Sequence, residues 1–181
     1  MFDMDTQFDT LGKVLWIWGC SPLHRRWPIE SAIHYVLPAI EHQQFRLLVG
    51  SDGIPRGYTS WAWLNANSEK RYIANPNSLR PEDWHNGKRL WFIDFISPFG
   101  FLYTAQLRRL MGEVHGNSYL AHSIRLRDNG KAQLVEHVAG STDIQKSQTL
   151  KNAFYEEIKD YFLLNKRHNP NDDLTTHDLY S

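Results

Sequence analysis

The chain has 181 residues, of which 41% are apolar and 22% are charged, and this is enough for one domain with a hydrophobic core. Its 20 basic and 20 acidic side chains balance, which excludes a general electrostatic attraction to nucleic acid or to an anionic membrane. The single cysteine, Cys20, excludes an intrachain disulfide and a cysteine-type zinc cluster. We therefore expect one folded domain with no bound metal.

The N-terminal residues show no targeting pattern. MFDMDTQFDT carries acidic residues where a secretory signal needs basic ones followed by an apolar stretch. The longest apolar runs, VLWIW and WFIDFI, are far shorter than the ~20 residues of a membrane span. We expect a cytoplasmic protein without stable membrane insertion.

The first part of the chain predicts two helices separated by a break. A periodic stretch covers residues 8–17 and stops at the breaker sequence GCSP. A second helix is predicted to open at Pro28, which suits a first-turn position, and Pro38 should kink or end it. The face that we expect this helix to bury consists of apolar residues at helical spacing, namely Ile29, Ile33, Val36, Leu37 and Ile40.

The middle of the chain is typical of an antiparallel hairpin followed by a central strand. QFRLLVG and GYTSWAWL flank a turn at residues 51–53, and NSEKRYIA favours a short helix. After the loop-like PNSLRPEDWHNGKR, the nearly continuous apolar run RLWFIDFISP predicts a central strand that is covered on both faces.

The last part predicts a helix, a second hairpin and a closing helix. Apolar residues at helical spacing give the first helix between Tyr103 and Val114, and YLAHSIRLR and KAQLVEHV flank an Asp-Asn-Gly turn at residues 128–130. The closing helix is indicated by Leu150, Phe154, Ile158 and Phe162. We predict one α/β domain of the α+β kind, residues 5–165, whose mixed, mostly antiparallel sheet is flanked by helices, and a polar, flexible tail at 166–181.

Asp94 is the charge that does not suit the central strand. Strict alternation would place Phe92, Asp94 and Ile96 on one face and the residues between them on the other. Burying an ionised carboxylate without a partner costs several kcal/mol, so Asp94 must be paired or lie at a cleft. It is either a structural partner of an arginine or of a backbone cap, or the group that orients a catalytic histidine.

The segment SPLHRRWP is the second candidate site. Two prolines bracket it, so it is limited to a short helical turn or an ordered loop, and rigid loops often carry binding and catalytic groups. Its His24 follows Cys20 and Ser21, which invites a nucleophile hypothesis, but neither lies in a motif such as GxSxG. A buried cysteine and a capping serine are the simpler explanation. The arginine pairs of the chain are mostly solvated, although one cluster could receive an acidic partner.

Four sequence blocks stand out in order along the chain: LGKVLWIWGCSPLHRRWPI, VLPAI, GYTSWAWL and EDWHNGKRLWFIDFISPFG. Together they resemble the RTX-toxin-activating lysine acyltransferases, from about Leu11 to Gly140. The resemblance implies a GNAT-like fold and a cytoplasmic homodimer. It also implies an enzyme that takes a fatty acyl chain from acyl-acyl carrier protein and links it to internal lysines of an RTX protoxin, with no cofactor besides this donor.

The resemblance also assigns roles to individual residues. His24 in SPLHR and Asp94 in WFID match the catalytic pair, with the histidine as general base and the aspartate orienting it. Ser21 matches a serine beside the histidine, and Arg125 in SIRLR matches an active-site arginine that would bind the oxyanion, unless a backbone N–H does so. Where the family commonly has an asparagine, eleven residues after the histidine, this chain has Tyr35, which changes the expected shape of the acyl pocket.

Two alternatives belong to other functional classes. One is a GNAT-type N-acetyltransferase that uses acetyl-CoA, and the other is a non-catalytic scaffold that binds acyl carrier protein through its arginines. GNAT enzymes hold the CoA pyrophosphate on backbone N–H groups of a Q/R-x-x-G-x-G/A turn. The corresponding stretch here, ISPFGFLY, has one glycine and a proline without a donor, which favours a carrier-protein donor.

Overall fold

The computed structural model describes residues 3–116, 119–126, 132–138, 149 and 152–156. Its helices are α1 Met4–Cys20, α2 Ile29–Glu41, α3 Ala66–Ala74 and α4 Phe101–His115. Its strands are β1 Phe45–Val49, β2 Pro55–Leu64, β3 Arg89–Ile96, β4 Leu120–Leu126 and β5 Ala132–Val138. Short 3₁₀ turns occur at His24–Arg26, Pro76–Ser78 and Pro81–Asp83. The predicted order of helices, hairpin, central strand, helix and second pair of strands is confirmed.

The strands form one mixed sheet in the order β1-β2-β3-β4-β5. All neighbours are antiparallel except β3 and β4, which run parallel. The β3–β4 register joins Leu90 to Ala121 and Trp91 to His122, near the start of both strands. Among the described residues this pairing does not continue towards Asp94, so the carboxyl end of β3 borders an opening between two parallel strands. This is the GNAT-like α+β arrangement that we expected.

Helices cover both faces of the sheet. On one face, α1 and α2 pack against Tyr58 and Ile96, and further along the same face Trp91 joins a cluster with residues of α3. On the opposite face, α4 contributes Met111 to a cluster with Trp61, Leu90 and Phe92. The central strand β3 is therefore buried on both sides, as its continuous apolar sequence predicted.

A β-bulge in β3 changes the predicted alternation of its side chains. Ser60 lies opposite Asp94 and Trp61 lies opposite Phe92, so Ile93 has no opposite residue. Phe92 consequently faces α4, whereas Asp94 faces the α1–α2 side. The prediction that Phe92 shares a face with Asp94 is wrong, because a bulge adds one residue to the alternation and turns the next side chain over.

The buried face of α2 also differs from the prediction. Pro28 is the N-cap rather than a first-turn residue, and the helix continues past Pro38 to Glu41, so this proline does not end it. The buried residues of α2 are Ala32, Tyr35, Val36, Pro38, Ala39 and Ile40. Ile29 and Ile33 are exposed while Ala32 between them and Tyr35 are buried, so the buried face of the helix is rotated away from the predicted one.

Several predictions fall outside the described residues: the Asp-Asn-Gly turn, most of the closing helix, and the tail at 166–181 with its domain boundary at residue 165. Residues 152–156 are helical, and Phe154 is buried in the core. In the part of the chain that the structure describes, no helix has the length and apolar character needed to cross a membrane.

Acid should destabilise the fold through His122. The ring stacks on Phe154 with 3.7 Å between centroids, and its buried Nε2 has no hydrogen-bond partner among the described residues. Burial first, and then the charges of His137 and Arg89, lower the pKa of His122 to about 3. The unfolded chain binds this proton near pH ~6.5, so stability falls as the pH is lowered from there, by at most ~1.4 kcal/mol per pH unit for this group.

We therefore expect the thermal midpoint to fall between pH 6.5 and pH 4, as ~6.5 is the reference value for histidine. The His122→Phe variant keeps a stacking ring and should show a shallower fall when melting is followed by fluorescence across this range. An identical slope in the variant and the parent chain would show that His122 does not contribute.

Candidate active site

His24 lies in a short turn that the end of α1 holds in place. Ser21 caps this helix, and its backbone N–H donates to the carbonyl oxygens of Ile17 and Trp18. The Arg25 N–H then donates to the Ser21 carbonyl, at 3.1 Å between nitrogen and oxygen. The segment between the two prolines is therefore an ordered 3₁₀ turn, as predicted.

Two tryptophans pack against the imidazole of His24. The ring centroids of Trp18 and Trp27 lie 5.0 Å and 4.7 Å from that of His24, and the two indoles contact each other edge to face. Only 11% of the His24 side chain is exposed. The sequence arguments did not single out these tryptophans as site residues, although Trp27 belongs to SPLHRRWP. Their packing restricts the rotation of the imidazole and so fixes where its nitrogens point.

The structure brings Ser21, His24 and Asp94 together. Ser21 Oγ lies 2.8 Å from His24 Nδ1, which is a hydrogen-bond distance. On the other side of the ring, His24 Nε2 lies 3.6 Å from Asp94 Oδ1, close enough for an ion pair but too long for a hydrogen bond. The imidazole of His24, in the 3₁₀ turn, thus lies between the Ser21 hydroxyl at the end of α1 and the Asp94 carboxylate of β3.

The charge of Asp94 decides which nitrogen of His24 carries the proton. A carboxylate beside Nε2 favours the tautomer with a proton on that nitrogen, and we assign this tautomer. Nδ1 then holds the lone pair and accepts a hydrogen bond from the Ser21 hydroxyl. The basic nitrogen of the site therefore faces Ser21 rather than Asp94.

Buried polar groups lie around Asp94. The aspartate is 6% exposed, Ser60 is opposite it in the β2–β3 register, and Tyr58 precedes Ser60 on the same face. Asp94 Oδ2 is buried without a hydrogen-bond partner among the described residues, and the Tyr58 and Ser60 hydroxyls, which interact with each other, are buried on the same face. Burial, and then the negative charge of Asp94, raise the pKa of Tyr58 well above its ordinary value. Tyr58 therefore keeps its proton next to the carboxylate.

Tyr35 is buried near the site, but its hydroxyl is engaged elsewhere. The hydroxyl oxygen lies 2.9 Å from Asn77 Oδ1 and 3.1 Å from the Pro76 carbonyl oxygen, and it thereby ties α2 to the Pro76–Ser78 turn. Burial, followed by the charge of Asp94, raises the pKa of Tyr35 to about 12. The tyrosine is a neutral hydrogen-bond donor. Its ring also packs near Trp27, with 6.2 Å between the two ring centroids.

Arg125 is not brought to this site by the described residues. Ala121 of β4 packs in the cluster beneath α4, and the β4–β5 register runs without interruption, so alternation places Arg125 on the same face as α4. His24 and Asp94 lie on the opposite face. The side chain of Arg125 is exposed, and the proposed role of its guanidinium at the oxyanion stays a prediction.

This arrangement suits proton transfer. A neutral imidazole that is held by packing, with a carboxylate at one nitrogen and a hydroxyl at the other, can accept a proton and stabilise the charge that forms. In the described part of the chain, no group of three or more histidine, cysteine or acidic side chains is placed to hold a metal ion.

Comparison with known proteins points to one family. The model of the RTX toxin acyltransferase family matches residues 4–139. The chain is 37% identical over 156 residues to the RTX-II toxin-activating lysine-acyltransferase of Actinobacillus pleuropneumoniae, covering 81% of this chain and 96% of the relative.

Two further relatives carry similar names. A leukotoxin-activating lysine-acyltransferase of Aggregatibacter actinomycetemcomitans is 34% identical over 157 residues, which cover 86% of this chain and 91% of that protein. A protein-lysine myristoyltransferase of Kingella kingae is 47% identical over 109 residues, or 59% of this chain and 65% of the relative.

Proposed function

The chain belongs to the RTX toxin acyltransferase family, and we propose that it moves a fatty acyl chain from acyl-acyl carrier protein to internal lysines of an RTX protoxin. The names of its relatives support the enzyme class, a lysine acyltransferase, and the toxin as substrate. The observation that carries the mechanism is the meeting of His24 and Asp94, which are distant in the sequence, in one buried site.

The chemistry needs a base at this position. A lysine side chain, with a reference pKa of ~10.4, is mostly protonated at neutral pH, so it gives up one proton to solvent before it can attack a thioester and a second one as the amide forms. The amine nitrogen bonds to the carbonyl carbon, the carbon–sulfur bond breaks, and the proton taken from the amine leaves with the thiol. His24 accepts and then returns this proton, while Asp94 stabilises the imidazolium between the two steps.

The tautomer gives Ser21 a part in this transfer. Because Nδ1 is the basic nitrogen and lies 2.8 Å from Ser21 Oγ, a proton reaches it through this hydroxyl. Ser21 is then a relay between the amine and His24, or an acyl-enzyme forms, either as an ester on Ser21 or on the imidazole of His24. We favour direct attack by the lysine, with Ser21 as the relay.

The start of α4 supports a carrier protein rather than CoA as the donor. This helix begins at Phe101 after Gly100, which has a φ of 112°, and Pro98 lacks the N–H that a pyrophosphate cradle would use. Because fewer backbone N–H groups are free at this helix end, the binding energy for the acyl-group donor must come from contacts with a larger partner. The acetyl-CoA alternative requires a turn whose backbone N–H groups bind the CoA pyrophosphate, and the sequence before α4 lacks this turn.

Intact-mass measurement of both proteins tests the proposal. The chain is incubated with a candidate RTX protoxin and either myristoyl-acyl carrier protein or acetyl-CoA, the acyl length following the name of the Kingella kingae relative. We expect the toxin to gain acyl groups from the carrier donor alone, while the chain itself keeps its mass. Acetylated toxin would favour the acetyltransferase alternative, an unmodified toxin would reject the proposal, and an acylated chain would show an acyl-enzyme.

Two expectations from the resemblance accompany this proposal. A cytoplasmic location would give the enzyme access to its acyl donor, and a homodimer is its predicted state. Both stay predictions.

A further inference from the structure

The turn that carries His24 also presents an exposed apolar surface. Leu23 is 43% exposed, and Ile29 and Ile33, one helical turn apart at the start of α2, are 69% and 46% exposed. Three large aliphatic side chains at such exposure within eleven residues of sequence offer apolar area that another molecule can cover. We call Leu23, Arg25, Arg26, Ile29 and Ile33 together the docking surface.

Two arginines complete this surface. Arg25 and Arg26 are exposed, and no ion pair to either is described in residues 3–116 or in the shorter ranges that follow. The stretch from Leu23 to Ile33 contains one acidic residue, Glu30, so it is basic although the whole chain is neutral. An apolar patch with unpaired positive charge beside it fits a partner that offers apolar and acidic side chains together.

The docking surface lies next to the reacting groups. His24, Arg25 and Arg26 form a single 3₁₀ turn, in which the imidazole is directed inward and the two guanidinium groups are exposed. A protein bound to the arginines would therefore hold a flexible prosthetic arm close to His24. This position suits a donor that delivers its acyl group from a tether.

We propose that the docking surface binds the acidic helical face of the acyl carrier protein and thereby delivers the thioester to His24. The inference rests on the proposed function, because it assigns the donor of that reaction to one surface of the chain. Charge selects this occupant: acyl carrier proteins are small, acidic and helical, and opposite charges steer their encounter with Arg25 and Arg26.

The other possible occupants fit less well. In a two-fold dimer both copies use the same surface, so this contact would bring two arginine pairs into one interface. An acceptor segment of the toxin brings a lysine, which carries the same charge as the two arginines. Like charges placed against each other in an interface oppose binding.

Paired charge reversals test the proposal. The Arg25→Glu/Arg26→Glu variant reverses the docking surface, and Arg108→Glu/Arg109→Glu reverses an exposed arginine pair on α4, on the opposite face of the sheet, of which Arg109 pairs with Glu113 of the same helix. Toxin acylation is measured as kcat/KM with two donors, myristoyl-acyl carrier protein and myristoyl-pantetheine. We expect the first variant to lose at least ~10-fold more activity with the carrier donor than with the pantetheine donor. The α4 variant should keep the wild-type ratio.

Three results would overturn the proposal: an equal loss with both donors, a loss confined to the KM for the toxin, or a change of oligomeric state by sedimentation. Restored activity when acidic residues of the carrier are replaced by lysine would establish the contact directly. Titration of the carrier against the chain without toxin separates the two hypotheses. Carrier binding that the first variant loses, together with no transfer by the wild-type chain, would retain the docking surface and reject the proposed function.

Discussion

Replacing His24 by alanine is expected to lower kcat/KM for toxin acylation by about 10²- to 10⁴-fold, the usual contribution of a positioned general base. The imidazole accepts the lysine proton at Nδ1, and no other group within hydrogen-bond reach of Ser21 Oγ is described that could replace it. The measurement is the rate of acyl transfer to the toxin from the carrier-bound donor.

A second variant separates proton transfer from packing. His24 packs between Trp18 and Trp27, so alanine leaves a gap in which both indoles can shift. His24→Phe fills the gap with a ring that has no basic nitrogen, and we expect it to melt close to the parent chain yet stay as inactive as the alanine variant. His42→Ala, which removes an exposed histidine after α2, serves as the control for activity. An active and folded His24→Phe protein would contradict the assignment of His24 as the base.

Asp94→Asn is expected to reduce kcat/KM by about 10²-fold or more without lowering the melting temperature, because the amide keeps the shape of the carboxylate but not its charge. In serine proteases the same change costs ~10⁴-fold through the wrong tautomer, and the 3.6 Å separation here suggests a smaller loss. Without the charge, the proton is no longer held on Nε2, and Nδ1 loses its role as acceptor from Ser21. Stability should be maintained, since a buried neutral amide costs less than a buried carboxylate.

Asp83 provides the matched control. It is also a buried aspartate, but Arg71 donates to both of its oxygens at 2.8 Å, and it lies in the Pro81–Asp83 turn rather than beside His24. We expect Asp83→Asn to show the opposite pattern, a lower melting temperature with normal acyl transfer, because a buried amide cannot accept hydrogen bonds from Arg71, Arg80 and Asn86 at both of its terminal atoms. If both variants lost activity and stability to a similar extent, the role of Asp94 would be structural.

The order of the secondary structure was predictable because its local signals are strong. The breaker sequence before His24, the alternating hairpin strands and the apolar run of β3 each specify their conformation with few residues. The face of α2 was not predictable to the same degree. Ile29 and Ile33 have the spacing of core residues, and their exposure depends on how the helix is rotated against the sheet, which no local pattern records.

The candidate site shows the same division. His24 and Asp94 drew attention through a histidine in a constrained turn and a charge in a buried strand, and the structure places them 3.6 Å apart. Trp18 was missed because a tryptophan in an apolar run is typical of any core, and Trp27 because its neighbours in SPLHRRWP do not reveal which way its ring packs. The placement of Arg125 on the α4 face depends on the sheet topology, which residue types near it do not reveal.

Ile93 illustrates how one additional residue can decide whether a catalytic pair exists. Counted outward from Phe92, a regular strand would send the aspartate to the side of the sheet covered by α4, out of reach of the imidazole. In a designed scaffold whose strand has no β-bulge, the aspartate would have to be placed one position earlier or later to face the histidine. In this protein the irregularity is part of the chemistry, because a regular strand of the same sequence would turn the aspartate towards α4 and separate it from the imidazole without altering either group.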